Sequence, residues 1–170
     1  MSFSHKAFEF DWLRFQVELA PLLYRCLADG RVQPLIEFAD QFRDSLAGPY
    51  EGEPLEPDWQ RNLGDSDVQE VGDYALTRYY SPAADKGLGE TWMQVESRLD
   101  DEGRHSLLGT AFGPPDNEFD PGKMGSYFQS PDGVRTSLAV LKRVGIKELA
   151  DYLSLLDTAS KHGRGVYVTF

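Results

Sequence analysis

Residues 146–170 read IKELADYLSLLDTASKHGRGVYVTF, and this stretch decides the fold class. Apolar residues recur every three or four positions over 146–162, which predicts an amphipathic helix, and Gly163 is typical of the residue that follows a helix end. Over 166–170 apolar and polar-tipped side chains alternate, which predicts a strand. We therefore expect an α+β fold, with helices packed on a small sheet that includes the C-terminal strand.

Further helices are predicted on the N-terminal side of this stretch. Ser130 fits an N-cap and Pro131 a first helical turn, so a helix is expected to about residue 144, preceded by a short strand at Tyr127-Phe128. Residues 8–47 predict an antiparallel helical hairpin, with a kink or break at Pro21. The apolar stripe of the first helix in this hairpin consists of Trp12, Phe15, Leu19, Leu22 and Cys26.

The middle of the chain gives weaker signals. Residues 48–66 are rich in proline, glycine and acidic residues without a regular period, which predicts an ordered surface loop. Residues 67–80 fit a helix better than a strand, and residues 90–99 fit either. We expect one globular domain over 1–170, made of the hairpin (8–47), the acidic loop (48–66) and an α+β core (67–170).

Charge limits the classes of partner. The chain carries 17 Lys and Arg against 28 Asp and Glu, a net charge of −11. This balance argues against nucleic acid and against anionic membrane surfaces, and it favours a basic protein partner. No apolar run approaches the ~18 residues of a membrane span, and residues 1–9 predict no signal sequence. Cys26 is the single cysteine, so we expect no internal disulfide and a cytoplasmic location.

One acidic motif invites a metal-binding interpretation. Asp116, Glu118 and Asp120 alternate in a loop, but an EF-hand needs glycine at its sixth position and glutamate at its twelfth. Pro121 and Tyr127 stand there instead. A solvated turn is the favoured interpretation, because loops use Asp, Asn, Pro and Gly for backbone reasons alone.

Other motifs for catalysis or cofactors are weak. Gly87-Leu88-Gly89 begins like a dinucleotide-binding fingerprint, but Trp92 occupies the third glycine position. His5 is expected in a frayed terminus, His105 in a turn and His162 at a helix end. No G-x-S-x-G or H-E-x-x-H pattern occurs. We therefore predict no metal, no cofactor and no catalytic residue from the motifs.

Negative charge is concentrated between residues 44 and 73. Nine acids and one base give this segment −8 of the net −11, whereas six bases and three acids give residues 135–164 a charge of +3. Trp59 fits two roles, a pin that fixes the loop to the core or an exposed anchor ringed by carboxylates. The predicted partner-binding residues are Glu51, Glu53, Glu56, Asp58, Trp59, Asp65 and Asp67.

Four stretches also resemble, in their order, a known family. They are Gly87-Leu-Gly-Glu-Thr-Trp92, Leu107-Leu-Gly-Thr-Ala-Phe-Gly113, Met124-Gly-Ser-Tyr-Phe-Gln-Ser-Pro131-Asp-Gly-Val134 and Ala159-Ser-Lys-His-Gly-Arg-Gly-Val-Tyr-Val-Thr-Phe170. Over residues 88–144 and the tail the chain resembles the YfbM-like family of small bacterial proteins of unassigned function. The resemblance implies an α+β fold and a helix over 90–99, and it supplies no catalytic residue.

Two function classes follow from these observations. The first is a non-catalytic binding protein that docks a basic protein partner, for example an immunity or antitoxin-type inhibitor of a basic toxin. The alternative is a small hydrolase or transferase whose site is assembled from dispersed residues. A deep pocket suited to a ligand would favour the second class.

Overall fold

A three-stranded antiparallel sheet joins the two ends of the chain in the computed structural model, which describes residues 3–63 and 67–170. Its strands are β1 (Lys6–Phe10), β2 (Ser126–Gln129) and β3 (Gly165–Thr169), in the order β1-β3-β2. On β3, Val168 lies opposite Ala7 of β1 and Tyr127 of β2. The predicted C-terminal strand is thus confirmed, and it occupies the centre of the sheet.

The two faces of the sheet contribute to two hydrophobic cores, because successive side chains of a strand point to opposite sides. Tyr167 belongs to the first core, together with Phe8 and Phe10. Val166 and Val168 belong to the second core. Both faces of β3 are therefore buried.

Helices that pack on the first core are α1 (Trp12–Glu18), α2 (Ala20–Asp29), α3 (Gln33–Gln41) and α4 (Val68–Leu76). The break between α1 and α2 falls at Leu19, shortly before Pro21, as the missing N–H of proline predicts. The Asp67 carboxylate caps α4 by accepting a hydrogen bond from the Glu70 amide at 2.8 Å. The helical interpretation of residues 67–80 is confirmed over Val68–Leu76, and residues 77–80 lie beyond the end of the helix.

Helices that pack on the second core are α5 (Trp92–Glu96), α6 (Asp101–Leu108), α7 (Pro131–Val144) and α8 (Ala150–Lys161). Residues 90–99 therefore include a short helix. The turn predicted at His105 is wrong, because this residue lies inside α6. Asp100 caps α6 by accepting a hydrogen bond from the Gly103 amide at 2.8 Å. None of the helices in the described ranges is long and apolar enough to cross a bilayer.

The N-terminal segment also departs from the prediction. Lys6–Phe10 form β1, whereas the sequence predicted that the helical hairpin begins at residue 8. His5, predicted in a frayed terminus, is fully buried. Its Nδ1 accepts a hydrogen bond from the Leu88 amide at 3.1 Å, and its Nε2 donates to the Leu107 carbonyl at 3.1 Å. Burial lowers the pKa of His5, so the ring is held in its neutral form.

Residues 77–91, here named the edge loop, cover the outer edge of β1. The Asp11 amide donates to the Tyr79 carbonyl at 2.8 Å, and the Lys86 amide donates to the Ala7 carbonyl at 2.8 Å. Further along, His5 and Gly89 exchange two backbone hydrogen bonds. A strand edge left unpaired invites association with other chains, and this loop occupies much of it. Both openings described below border the edge loop.

Candidate functional site

The carboxylates predicted to bind a partner lie on the surface. Five of them are exposed: Glu51, Glu53, Glu56, Asp58 and Asp67. Among the described residues, Asp58 alone of the five has a cation within 4.0 Å, the exposed Arg61 at 3.6 Å. Asp65, also predicted, lies outside the described residues. The carboxylates predicted to bind a partner are thus exposed wherever the structure describes them, and their role in binding stays a prediction.

The N-terminal part of the acidic loop is closed by backbone hydrogen bonds. Ala47 and Pro54 form an isolated antiparallel bridge. The Gly48 amide donates to the Glu53 carbonyl at 2.7 Å, and the Gly52 amide donates to the Gly48 carbonyl at 2.9 Å. The carboxylate end of the exposed Glu53 side chain lies over Gly48. This part of the loop therefore presents its carboxylates from a fixed backbone.

Trp59 is buried rather than exposed. It is 2% exposed and belongs to the first core, with its ring 5.5 Å from that of Tyr74. Its indole N–H donates to Asp40 Oδ1 at 3.0 Å, and Gln60 donates to the same carboxylate. A tryptophan so placed has no free surface for a partner. The exposed-anchor role of Trp59 is therefore wrong, and its role as a pin between loop and core is confirmed.

The exposed aromatic residue of this region is Tyr50, which is 72% exposed. The available sequence signal is its position directly after Gly48-Pro49, since turn residues lie at the surface. Partial burial of its hydroxyl, with the nearby carboxylates of Asp73 and Glu70, raises the pKa of Tyr50. Most of Tyr50 thus faces solvent, whereas its hydroxyl is partly buried.

A small cavity of about 210 Å³ opens beside Tyr50. It lies between the acidic loop, the edge loop and the ends of β1 and β3. Its lining combines aromatic and charged side chains, among them Phe8, Tyr50, Tyr80, Lys6, Asp73 and Asp85. The opening is concave and partly aromatic, and it is smaller than the roughly 300–1,000 Å³ that is typical of ligand sites.

Asp73 stands out among the residues that line this cavity. It lies on the buried side of α4 and is 9% exposed. Within the described residues its carboxylate has no hydrogen-bond donor and no cation within 4.0 Å. Burial raises the pKa of Asp73 to about 7. No pattern in the sequence indicates this burial, because Asp73 lies within the segment 44–73, which is dense in acidic residues.

A larger cleft of about 710 Å³ lies on the other side of the edge loop, between β1 and α8. It shares Phe8, Tyr80 and Asp85 with the small cavity. Its charged lining is balanced, with four acids and four bases: Glu9, Asp11, Asp85, Asp151, Arg14, Arg78, Lys86 and Arg164. The cleft therefore does not share the acidic character of the whole chain.

Glu18 links two arginines at this cleft. Its carboxylate accepts hydrogen bonds from Arg14 and Arg78, each at 3.0 Å. Although burial favours the protonated acid, these two guanidinium groups hold the pKa of Glu18 below its usual range. Tyr79 lies nearby, and burial raises the pKa of its phenol although Arg78 opposes this. In the part of the chain described, no atom makes a hydrogen bond with the Tyr79 hydroxyl.

At the edge of the cleft a histidine meets a carboxylate. Nδ1 of His162 lies 2.6 Å from Oε1 of Glu9, and Arg164 lies 3.6 Å from Asp11. In hydrolases such a carboxylate orients the ring so that Nε2 can accept a proton. Among the described residues, no hydroxyl group lies within hydrogen-bond distance of this Nε2. The described residues therefore place no hydroxyl nucleophile beside this ring.

The loop with three alternating carboxylates is held by ordinary turn contacts. Asp120 Oδ1 accepts a hydrogen bond from the Gly125 amide at 3.0 Å. The Gln69 side chain donates to the Glu118 carbonyl at 2.9 Å and accepts from the Asp120 amide at 2.8 Å. Within 3–63 and 67–170, no group of three or more His, Cys, Asp and Glu side chains is placed to hold a metal ion.

Comparison with known proteins adds no relative: no family model, curated protein or solved structure matches this chain. The resemblance to the YfbM-like family accordingly stays a prediction that rests on the four sequence stretches given above. The placement of charge, cavity and cleft in this chain is thus the basis for a function.

Proposed function

We propose that the protein is a non-catalytic binding protein that docks a basic protein partner through an acidic face. This face consists of Tyr50, Glu51, Glu53, Glu56, Asp58 and Asp67. One observation carries the proposal: the carboxylates are exposed on a loop that is tied to the core, and among the described residues Asp58 alone of them has a nearby cation.

Physical chemistry favours an oppositely charged partner for such a face. Like charges concentrated on one surface repel each other in the free protein, and a basic partner relieves this repulsion. Exposed charges act over about 8 Å at physiological ionic strength, so they increase the rate of encounter more than the lifetime of the complex. Inhibition of a basic toxin in the cytoplasm, of the immunity or antitoxin type, fits this chemistry.

Tyr50, rather than Trp59, supplies the exposed aromatic anchor of this face. Aromatic residues with a polar tip dominate the energetics of many interfaces, because they bury a large area while few dihedral angles become fixed. Tyr50 is exposed, whereas Trp59 is inaccessible. We therefore place Tyr50 within the contact and the carboxylates around it.

Two double variants with the same change of charge test the proposal. Glu51→Lys with Glu56→Lys alters the acidic face. Glu90→Lys with Glu102→Lys makes the same change near the second core, at exposed residues that form no ion pair within the described chain. Both variants are compared with wild type, after circular dichroism has shown that each is folded.

The measurement is the association rate of an isolated partner. A protein retained by immobilised wild type is identified, purified and measured by surface plasmon resonance over a range of salt concentrations. We expect a basic partner whose on-rate falls steeply with salt, and a loss of about tenfold for the acidic-face variant against less than about twofold for the control. An on-rate that changes neither with salt concentration nor in the variant Glu51→Lys with Glu56→Lys contradicts the proposal.

A small hydrolase is a second candidate, favoured by the contact between His162 and Glu9 at the edge of the 710 Å³ cleft. Glu9 orients the ring, and Nε2 then activates a water molecule for attack on an ester or a phosphate. Hydrolysis of p-nitrophenyl acetate and p-nitrophenyl phosphate tests this. The rate should vanish in His162→Gln but persist in the control His105→Gln, which alters an exposed histidine; equal rates in the two variants exclude the candidate.

A further inference from the structure

The small cavity of about 210 Å³ adjoins the acidic face, since Tyr50 belongs to both. We propose that this cavity receives a lysine or arginine side chain of the basic partner, with the Asp73 carboxylate as its counter-ion. The inference rests on the proposed function and names the contact that gives it specificity. The exposed carboxylates attract a basic surface, and the cavity selects one side chain of that surface.

Asp73 lacks a hydrogen-bond donor and a cation within the described chain. The residue is 9% exposed and still lines the cavity. A buried carboxylate without a donor or a cation is strongly unfavourable, because the interior replaces its hydration poorly. A cation that enters the cavity relieves this penalty. Asp73 therefore has more to gain from a partner's cation than the exposed carboxylates around it have.

The shape and lining of the cavity suit a cationic side chain. Its volume exceeds that of several water molecules, which leaves room for a charged group and the methylenes next to it. Phe8, Tyr50 and Tyr80 supply aromatic surface that suits an aliphatic stem. Aromatic faces also attract cations, and guanidinium groups in particular.

The other charges at the cavity leave the Asp73 carboxylate available. Oδ1 of Asp85 already accepts hydrogen bonds from the amides of Ala7 and Gly87, at 3.0 and 2.8 Å. Lys6 lines the cavity too, but its ammonium group lies beyond 4.0 Å from the Asp73 carboxylate. The counter-ion role for a partner's cation thus falls to Asp73.

Protonation of Asp73 makes the proposed contact depend on pH. Because burial raises its pKa to about 7, the free protein is a mixture of acid and carboxylate near neutrality. A cation binds the carboxylate form, so affinity should fall by up to about tenfold per pH unit below 7. Three phenols near Asp73 do not titrate in this range, because burial raises the pKa of each: Tyr50, Tyr80 and Tyr167. Lys6 and Asp85 are the remaining charged groups at the cavity.

The test uses two small probes and the full chain. N-acetyl-arginine methylamide and its neutral isostere N-acetyl-citrulline methylamide are titrated into protein whose aspartate carboxyl groups are observed by carbon NMR. We expect the arginine probe to bind saturably, at least tenfold more tightly than the citrulline probe. It should also lower the pKa measured for Asp73, a readout that requires no variant.

Variants complete the test. Asp73→Asn should weaken the arginine probe at least tenfold, whereas the control Glu70→Gln, at an exposed position of the same helix, should change it less than twofold. Equal binding of the two probes, or an Asp73→Asn protein that binds like wild type, overturns the inference. If partner docking depends on Glu51 and Glu56 but not on Asp73, the result contradicts the cavity contact and leaves the acidic face in place. If the arginine probe binds at Asp73 but partner docking does not depend on Glu51 and Glu56, the result contradicts the acidic face and leaves the cavity contact in place.

Discussion

Two buried ionisable side chains make the stability of the free protein depend on pH in opposite directions. Burial raises the pKa of Asp73 from 3.8 to about 7, so between these values the native state holds a proton that the unfolded chain has lost. The free energy of unfolding therefore falls as pH rises through this window, by up to about 1.4 kcal/mol per pH unit. Burial lowers the pKa of His5, so the stability that depends on its neutral ring is lost as pH falls below about 6.5, where the unfolded chain takes up a proton.

Replacement of Asp73 by asparagine should remove the first of these dependences. The free energy of unfolding of both proteins is measured with urea at pH 5 and at pH 8. Wild type should lose stability from pH 5 to pH 8 as Asp73 ionises, so the stability of Asp73→Asn relative to wild type should rise by about 1–4 kcal/mol. Glu70→Gln serves as the control for the removal of one acid from α4 and should run parallel to wild type. If the stabilities of Asp73→Asn and wild type change equally between pH 5 and pH 8, the Asp73 carboxyl has an ordinary pKa in the native state.

Trp59 should matter for stability rather than for partner binding. Trp59→Ala removes a buried ring from the first core and should lower the free energy of unfolding by about 3–5 kcal/mol. Trp59→Phe retains most of the packing but removes the donor to Asp40, so a loss of about 1 kcal/mol is expected. Chemical denaturation measures both. A fully stable Trp59→Ala protein with a faster partner off-rate would restore the anchor role.

Side-chain placement was the least predictable feature of the candidate site. Tyr50 and Trp59 are both aromatic residues within one acidic, aperiodic stretch, and the pattern does not show that Trp59 rather than Tyr50 packs in the first core and donates to Asp40. Asp73 is buried because α4 is covered over a wide arc that includes Gly72 and Leu76. A helix with a narrow apolar stripe would have left this carboxylate in solvent. Residue type alone carries no information on such an arc.

The C-terminal strand determines whether the sheet exists. β3 lies between β1 and β2, and its side chains belong to both cores. Deletion of residues 165–170 leaves the other two strands without a partner and exposes both cores. We expect the truncated chain to be insoluble, or to lack cooperative thermal unfolding by circular dichroism. A soluble truncated protein with an unchanged melting temperature would contradict the central position of β3.

Elements with a clear hydrophobic period were predictable, and elements without one were not. α7 begins at the N-cap Ser130, α8 is followed by Gly163 in a left-handed conformation, both helices carry apolar stripes, and β3 alternates cleanly, so the sequence predicts all three. β1 is only five residues long, so its alternation of Phe8, Glu9 and Phe10 is too short to distinguish a strand from the start of the predicted helix. α6 contains Gly103, which packs against Leu99, and its charged first turn hides the apolar positions.

On the scale of the molecule the sheet separates two kinds of surface. The acidic loop packs on the first core through Trp59 and Leu55, whereas α7 and α8, which carry most of the basic stretch 135–164, pack on the second core. The charge asymmetry of the sequence therefore becomes an asymmetry between the two sides of the sheet. Such a molecule presents its acidic loop to a basic partner, because negative charge is densest there.

The same asymmetry predicts that the acidic face destabilises the free protein at low ionic strength. Its exposed carboxylates repel one another, and salt screens that repulsion. We expect Glu51→Lys with Glu56→Lys to raise the melting temperature by roughly 1–3 °C at low salt and by almost nothing at high salt. The control pair Glu90→Lys with Glu102→Lys should gain less at low salt, because its residues lie outside the dense segment. If the two pairs respond alike, the repulsion belongs to the net charge of −11 as a whole and not to the acidic face.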